Sequence, residues 1–428
     1  ELKADDEGRL ALLRHDSHVQ TSLKGGFFEP CGLNSLLLYK ASRIEVSHQV
    51  TRHPISTPTP FRAPGETPGS FALETALDEL ACKLGQDPVE LRMRNFADQD
   101  YYHNREWSSN DLAECYRLGA ERIGWHRRDV NPRSHERNGR LVGLGMATTA
   151  YPAPALPATV RLVLHASGAL VLETSATDIG TGMRTLLAQH VIDALAVSPS
   201  QVTVVLGDSN LPNAPTAGRS KSTASVLPAA AQACRALLAA LDEIDPHPGG
   251  NVALHDRLAR AGRQDFTVEG RSSGLSTNQE LSFYSFGAHF VEIELDERIG
   301  RVRVSRVVSA MDCGRILNPK LAASQIRGSI TFGIGMALME QAVRHTASNR
   351  IVTDNLAEYA VPVHADVPEI EVLFTNKADL EMNELGARGL GEIGLPGLAA
   401  AIGNAVFNAC GRRGRTLPLS AKVLCGQA

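Results

Sequence analysis

The sequence reads as a mixed α/β (α+β) protein built from two α/β units, each with a mixed sheet flanked by helices. Three observations lead there. Short runs with period-two alternation interleave with segments of helical period along the whole chain. The length of 428 residues accommodates two or three domains at about 150 residues each. A charged, turn-rich stretch, RRDVNPRSHERNG from Arg127 to Gly139, has no apolar period. It divides the chain into a unit over 1–126 and a unit over 127–428.

Within the first unit, Ala11 to Phe61 mixes short apolar runs with Gly, Pro and Ser, the pattern of strands and long loops. A helix follows, because Phe71, Leu73, Leu77, Leu80, Ala81 and Leu84 recur at helical spacing and Gly85 stops it. Asp87-Pro88-Val89-Glu90 then has the form of a capping box with Pro at the first helical position. In the second unit, Thr159–His165 and Ala169–Ser175 alternate around the turn Ala166-Ser167-Gly168, which predicts a hairpin. A helix over Met183–Leu195 leads to a strand over Val202–Leu206, and Ala224–Leu241 is an Ala/Leu-rich helix. Residues 245–280 are polar and Gly-rich and read as a surface excursion. Strands over Ala288–Leu295 and Val302–Ala310 follow, then a helix over Ala322–Gln341, a strand over Ile370–Phe374 and a last helix over Pro396–Cys410. There is no short-period repeat, which excludes solenoids and propellers.

Bulk numbers exclude several classes. A net charge of −4 and a sequence pI near 6.4 give no general reason to expect a nucleic-acid partner. No uninterrupted apolar stretch approaches the roughly 18 residues of a membrane span, so no membrane partner is expected. The seven cysteines are scattered, with no C-x-x-C pair, which argues against zinc and iron–sulfur sites in this chain. Reduced, mostly buried thiols are the expectation. The opening ELKADDEGRL lacks a signal-peptide layout, but the first residue is Glu1, so this says nothing about targeting.

Four Gly-rich segments each stand next to a predicted helix: Phe61–Glu66 (FRAPGE), Asp178–Gly182 (DIGTG), Pro215–Ser220 (PTAGRS) and Gly389–Gly394 (GLGEIG). Glycines ahead of a helix let the backbone approach a ligand and aim free N–H groups at anionic groups. Several in one chain suggest a large polar ligand held from many sides, although any one of them alone is more simply a tight strand-to-helix turn. Gly389, Gly391 and Gly394 formally spell G-x-G-x-x-G. That fingerprint needs a strand before it, and the lead-in Glu381–Gly386 is polar, so a dinucleotide site is not expected. The segment also carries Glu392, a carboxylate between glycines at the mouth of an apolar helix. Partial desolvation there would raise its pKa toward the range of a general base, the plainer alternative being a capping residue.

Taken together, these residues resemble a known family. Phe61–Asn95 (FRAPGETPGSFALETALDELACKLGQDPVELRMRN), Ser285–Pro319 (SFGAHFVEIELDERIGRVRVSRVVSAMDCGRILNP), Gln325–Glu340 (QIRGSITFGIGMALME) and Gly386–Pro418 (GARGLGEIGLPGLAAAIGNAVFNACGRRGRTLP) resemble segments of the large subunit of molybdenum hydroxylases. This is the xanthine dehydrogenase/aldehyde oxidase family. The order and approximate spacing agree, and the resemblance runs from about Ala11 nearly to the end.

The resemblance implies two molybdopterin-binding units, with a molybdenum held by the pterin dithiolene and no metal ligand from the protein. It implies hydroxylation of a C–H carbon with oxygen from water, with Glu392 as the base by its place in GLGEIG. Arg62 matches the arginine of an F-R-A-x-G loop beside the cofactor, a cation suited to a phosphate or a developing oxyanion. Ile179, Gly180, Thr181 and Gly182 match a D-x-G-x-G loop over the pterin. Gly218 and Ser220 match a second pterin loop, Gln325 a glutamine that hydrogen-bonds the pterin, and Gly391 belongs to the base's own loop. One departure is Gly218-Arg219-Ser220-Lys221, where the family usually has Gly-Gly-Ser. Arg219 and Lys221 either crowd the pterin or reach a cofactor phosphate. The other departure is the family's N-terminal half, with its G-G-G-F-G-x-K loop and α/β-hammerhead domain, which has no counterpart here. The first unit is therefore expected to be incomplete, the chain a fragment or one piece of a split subunit, and the isolated chain inactive and free of molybdenum.

The FRAPGE and DIGTG variants look more like bacterial members that oxidise aldehydes than those that oxidise purines. By that resemblance the cofactor is the cytosine-dinucleotide form, and [2Fe–2S] and FAD reside on partner subunits or domains. The substrate would be a small aldehyde or, alternatively, an N-heterocycle, and the compartment the cytoplasm, with the periplasm as the alternative. Two further alternatives stay open at this point: an inactive scaffold and a nicotinamide dehydrogenase.

Overall fold

A computed structural model of the chain describes residues 1–246, 252–274, 280–348 and 350–424. Its centre is a five-stranded mixed sheet in the order β14-β13-β12-β6-β5. The strands are β5 (Glu136–Arg137), β6 (Arg140–Pro152), β12 (Tyr284–Asp296), β13 (Arg301–Asp312) and β14 (Glu369–Phe374). β6, β12 and β13 pair antiparallel, while β14 joins β13 in parallel. Both faces of this sheet are covered, which is why β6 is buried over ten consecutive residues and shows no clean alternation. On one face lies the apolar helix α9 (Leu398–Cys410). Gly143 and Gly145 of β6 permit that contact, since a Cβ on either would come within 2.0–2.2 Å of Ala405 backbone atoms. The other face carries α4 (Leu112–Ile123), where a Cβ at Gly119 would strike the Phe290 ring at 2.4 Å.

The second sheet, β10-β7-β8-β9, consists of β7 (Ala158–His165), β8 (Leu170–Thr174), β9 (Val202–Leu206) and β10 (Asp265–Ser272). The predicted hairpin is β7–β8. One face of β7, Ala158, Val160, Leu162 and Leu164, is buried under α5 (Met183–Leu195) and α6 (Ser222–Ile244). α6 is long and apolar enough by composition to cross a membrane, contrary to the expectation from uninterrupted runs. It is mostly buried in the core of this unit, the ordinary reason for such a helix in a packed domain.

The first unit holds a three-stranded sheet, β1-β2-β3, of β1 (Leu2–Ala4), β2 (Leu10–Ser22) and β3 (Arg43–His53), with β2 and β3 parallel. Their connection includes a five-residue helix, α1 (Leu33–Leu37), in a stretch expected to hold only strands and loops. α2 (Glu66–Leu84) begins five residues before its first periodic apolar residue. Pro68 is tolerated there because first-turn N–H groups have no intrahelical partner. α3 (Pro88–Asn95) is capped by Asp87, whose Oδ1 accepts from Val89 N at 2.7 Å and Glu90 N at 3.3 Å. The core beneath these elements also takes in Leu144, Met146, Phe286 and Phe290, so the stretch 1–126 packs on a sheet formed by 127–428.

A further expectation fails. The segment 245–280 is not simply a surface excursion, because it contains α7 (Leu254–Arg260) and the edge strand β10. The register of β10 pairs Phe266 with Leu164 and Val268 with Leu162, and edge placement leaves the alternate residues polar. Residues 247–251 and 275–279 of that segment lie outside the described residues. A two-residue pair, β4 (Glu106–Trp107) and β11 (Leu281–Ser282), and the helix α8 (Pro319–Leu338), capped by Asn318, complete the frame of the site.

Candidate active site

Four loops meet at one cavity of about 780 Å³, and each leads into a helix. They precede α2, α5, α6 and α9, and α8 supplies the remaining wall through Leu321, Ala322 and Gln325. Arg62, Ile179, Gly180, Thr181, Gly218, Arg219, Ser220, Gln325, Gly391 and Glu392 all line it. Gly182 does not. It turns toward Leu321, and its N–H donates to Asp178 Oδ1 at 3.0 Å. Asp178 also accepts from Gly180 N at 3.0 Å and Arg184 N at 3.1 Å, so this carboxylate shapes the whole DIGTG turn.

Glu392 is half-buried and held by two neighbouring loops at once. Its Oε1 accepts from Arg219 N at 2.7 Å and its Oε2 from Ala63 N at 3.1 Å. Its own N–H donates to Ser220 Oγ at 2.9 Å. Both N–H donors to the carboxylate come from residues with positive φ, +50° at Ala63 and +54° at Arg219, and Ser220 stands at +53°. Non-glycine residues rarely adopt this conformation, so the turns that aim these N–H groups are held by their surroundings. Close loop contact explains Gly389, because a Cβ there would sit 1.6 Å from Ser220 O. Ser220, expected at the pterin, thus spends its hydroxyl on the Glu392 backbone.

Arg62 is likewise committed within the protein. Its guanidinium donates to Gly391 O at 2.7 Å, and to Gln325 O and Gln325 Oε1 at 3.0 Å each. Burial lowers its pKa, and the nearby Glu392 charge works against that shift. With Oε1 taken by Arg62, Gln325 has its NH₂ group left to offer the cavity. Two residues were not assigned a role from sequence. Glu66, the last residue of FRAPGE, is buried, and burial pushes its carboxyl up to about 7 despite the opposing Arg219 charge. Tyr151 on β6 is buried beside Glu392; burial first, and then its hydrogen bond to that carboxylate, drive its pKa well up. Glu66 had a signal in the motif, whereas Tyr151 sits in a strand without one.

The lining suits a large anionic ligand. Arg62, Arg219, Lys221 and Arg315 face it against the single carboxylate of Glu392. At Gly180 and Gly218 an added Cβ would meet no atom within 4 Å, leaving backbone open to close approach. Among the described residues, no group of three or more His, Cys, Asp or Glu side chains is placed to hold a metal ion.

Comparison with known proteins agrees with this geometry. Residues 118–368 and 1–96 each match a molybdopterin cofactor-binding domain. The chain belongs to the molybdopterin-binding domains of the xanthine dehydrogenase/aldehyde oxidoreductase family. It is 36% identical over 433 residues to the aldehyde oxidoreductase molybdenum-binding subunit PaoC of Escherichia coli (strain K12), covering 97% of this chain and 58% of that subunit. It is 30% identical over 390 residues to the xanthine dehydrogenase molybdenum-binding subunit of Escherichia coli O157:H7, covering 83% of this chain and 51% of that one. Its fold is also that of the aldehyde oxidoreductase from Desulfovibrio desulfuricans, with a TM-score of 0.84, 23% identity, and 99% of this chain on 48% of that one. Quinoline 2-oxidoreductase from Pseudomonas putida 86 gives a TM-score of 0.85 at 20% identity, with 99% of this chain on 60% of that chain. The chain therefore spans about half the length of the relatives it matches.

Proposed function

We propose that this chain is the C-terminal portion of the molybdenum-cofactor-binding subunit of a molybdenum hydroxylase that oxidises aldehydes to carboxylic acids with oxygen from water. The observation that carries the reading is Glu392, a carboxylate fixed by two main-chain N–H groups at the edge of a cation-lined cavity. A bound molybdenum–pterin cofactor would supply the two-electron oxidation. Ile179, Gly180, Thr181 and Gly218 would lie along it through open backbone, and the Gln325 NH₂ would donate to it. Arg62 locks the Gln325 carbonyl and the Gly391 carbonyl in place, so it acts by holding the Glu392 loop as well as by its charge. Glu392 takes the proton released as water-derived oxygen reaches the substrate carbon.

Family likeness supports the cytosine-dinucleotide form of the cofactor, [2Fe–2S] and FAD on partner subunits, and a cytoplasmic location as parts of the same proposal. Greater identity to an aldehyde oxidoreductase subunit than to a xanthine dehydrogenase subunit favours aldehydes over N-heterocycles. The remaining part of the same subunit would close the cavity, so the isolated chain should be inactive and hold no molybdenum. The test uses the full-length subunit with its copurified partners and benzaldehyde in oxygen-18-labelled water. Label in the benzoate product, with stoichiometric molybdenum, is the expected result. Unlabelled product, or turnover without molybdenum, would end this reading.

A further inference from the structure

The stretch that delivers Glu392 contains Gly389, Gly391 and Gly394, so its side-chain packing comes from Leu390 and the fully buried Ile393. It is also fixed through its carbonyls. Ser285 Oγ, at the start of β12, donates to Gly389 O at 2.8 Å. Thr149 Oγ1, near the end of β6, donates to Ile393 O at 2.6 Å. Both side chains are fully buried. β6 and β12 are antiparallel neighbours, with Ser285 opposite Tyr151 and Gly287 opposite Thr149. By the two-residue period of strands, Thr149, Tyr151 and Ser285 share one face of the central sheet. That face therefore presents two hydroxyls that grip the Glu392 loop, three residues before the carboxylate and one residue after it.

Upstream, the loop is anchored by the buried Arg388, whose guanidinium donates to Ser109 O at 3.0 Å and pairs with Asp312, with Asp379 at 3.6 Å. Between these anchors, Arg62, Ser220, Ala63 N and Arg219 N reach the loop from other cavity loops, and Tyr151 of β6 stands beside the Glu392 carboxylate. The sheet sets where the loop stands, and the neighbouring loops together with Tyr151 set where the carboxylate points.

We propose that Thr149, supported by Ser285, is a positioning residue for the reaction, a hydroxyl that holds the Glu392 base in register from outside the cavity. This rests on the reading of Glu392 as the base. Loss of the Thr149 hydroxyl leaves the Ile393 carbonyl buried without a partner, and the loop must shift to find one. Proton transfer is sensitive to displacements well under 1 Å, whereas substrate binding elsewhere in the cavity is not.

The experiment compares Thr149→Val, Thr149→Ser, Ser285→Ala, Glu392→Gln and the Thr149→Val/Glu392→Gln double variant in the full-length, molybdenum-loaded subunit. Benzaldehyde is the substrate and ferricyanide the electron acceptor. Thr149→Val should lower kcat by about tenfold or more with KM within about twofold. Thr149→Ser, which keeps the hydroxyl, should restore kcat to within about threefold, and the double variant should be no slower than Glu392→Gln alone. Wild-type kcat in Thr149→Val beside an inactive Glu392→Gln would overturn the positioning role and leave the base intact. Normal turnover in Glu392→Gln would instead remove the base reading itself. A further multiplicative loss in the double variant would show that Thr149 acts on something other than Glu392 and also overturns the proposal. If Thr149→Val does not fold or load molybdenum, Ser285→Ala decides in the same way, a lowered kcat at unchanged KM supporting the clamp and an unchanged kcat refuting it.

Discussion

Glutamine in place of Glu392 keeps the shape of the side chain and removes the proposed base. The structure sets what else it disturbs. Each carboxylate oxygen accepts one main-chain N–H, from Arg219 at 2.7 Å and from Ala63 at 3.1 Å. An amide has one acceptor end and one donor end, so in either orientation its NH₂ faces one of these N–H groups. One of the two bonds is lost. A hydrogen bond to a charged acceptor contributes about 1.5–3 kcal/mol, and at this half-exposed position water replaces much of it, so folding loses on the order of 1 kcal/mol. Removing a positioned general base costs about 10²–10⁴-fold in rate, roughly 2.7–5.5 kcal/mol of barrier. The catalytic effect is therefore the larger and is separable from the structural one. In the full-length enzyme, Glu392→Gln should be folded and molybdenum-loaded, with kcat for benzaldehyde down by at least about a hundredfold. Molybdenum by elemental analysis, a thermal unfolding midpoint and steady-state kinetics on one preparation check this. Near-normal turnover would refute the base, and loss of molybdenum together with activity would make Glu392 a structural cap.

Gly389→Ala places a Cβ 1.6 Å from Ser220 O, so two cavity loops must part; kcat and the unfolding midpoint should both fall, and a variant with unchanged kinetics would show that the contact is not needed. Arg219→Gly combined with Lys221→Ser should lower cofactor content if these cations balance a cofactor phosphate; full molybdenum and nucleotide content after purification would assign them to solvent. Glu66 predicts a pH dependence. Its carboxyl is pushed up from 4.5 to about 7 by burial, so the folded chain holds this proton more tightly than the unfolded one. Stability therefore falls as pH rises from about 4.5 to 7, by on the order of 3 kcal/mol, and is level above that. Glu66→Gln should flatten this slope, measured as unfolding free energy at pH 5 and pH 8; equal slopes in variant and wild type would refute it.

Where a helix or strand carries its own period or its own cap, the sequence makes it legible. Met183–Leu195 and Val202–Leu206 stand at the residues expected, and Asp87 caps its helix through two N–H bonds. The central strand β6 is different. Its residues Arg140–Pro152 are buried on both faces and include two glycines that serve α9, a helix some 250 residues away in sequence. The Asn138-Gly139 turn marks its start, but no alternation marks its length, because its burial is decided by partners remote in sequence. β10 is the converse, since a polar edge strand looks like a loop until its partner β7 is known. At the site, Arg62, Gln325 and Glu392 were visible through motif order. Thr149, Tyr151 and Ser285 were not, because they act on the site from within the sheet by single hydroxyls.

This division has a physical consequence for how the site assembles. Glu392 receives its N–H donors from the loops before α2 and α6, and its backbone bond from Ser220 in the latter. The same loops contribute Arg62, Gly218 and Arg219 to the cavity wall. Any ligand that seats against them therefore also fixes the two N–H groups that orient the carboxylate, and any ligand that displaces them moves both. Positive φ at Ala63, Arg219 and Ser220 costs energy that a free loop would relax. A cofactor bound along Gly218 would stabilise the strained form over relaxed ones by the free energy of its own contacts, through linkage. The geometry of the proposed base and occupancy of the cavity are thus one equilibrium, so the orientation of Glu392 should be most sharply defined when the cofactor is in place.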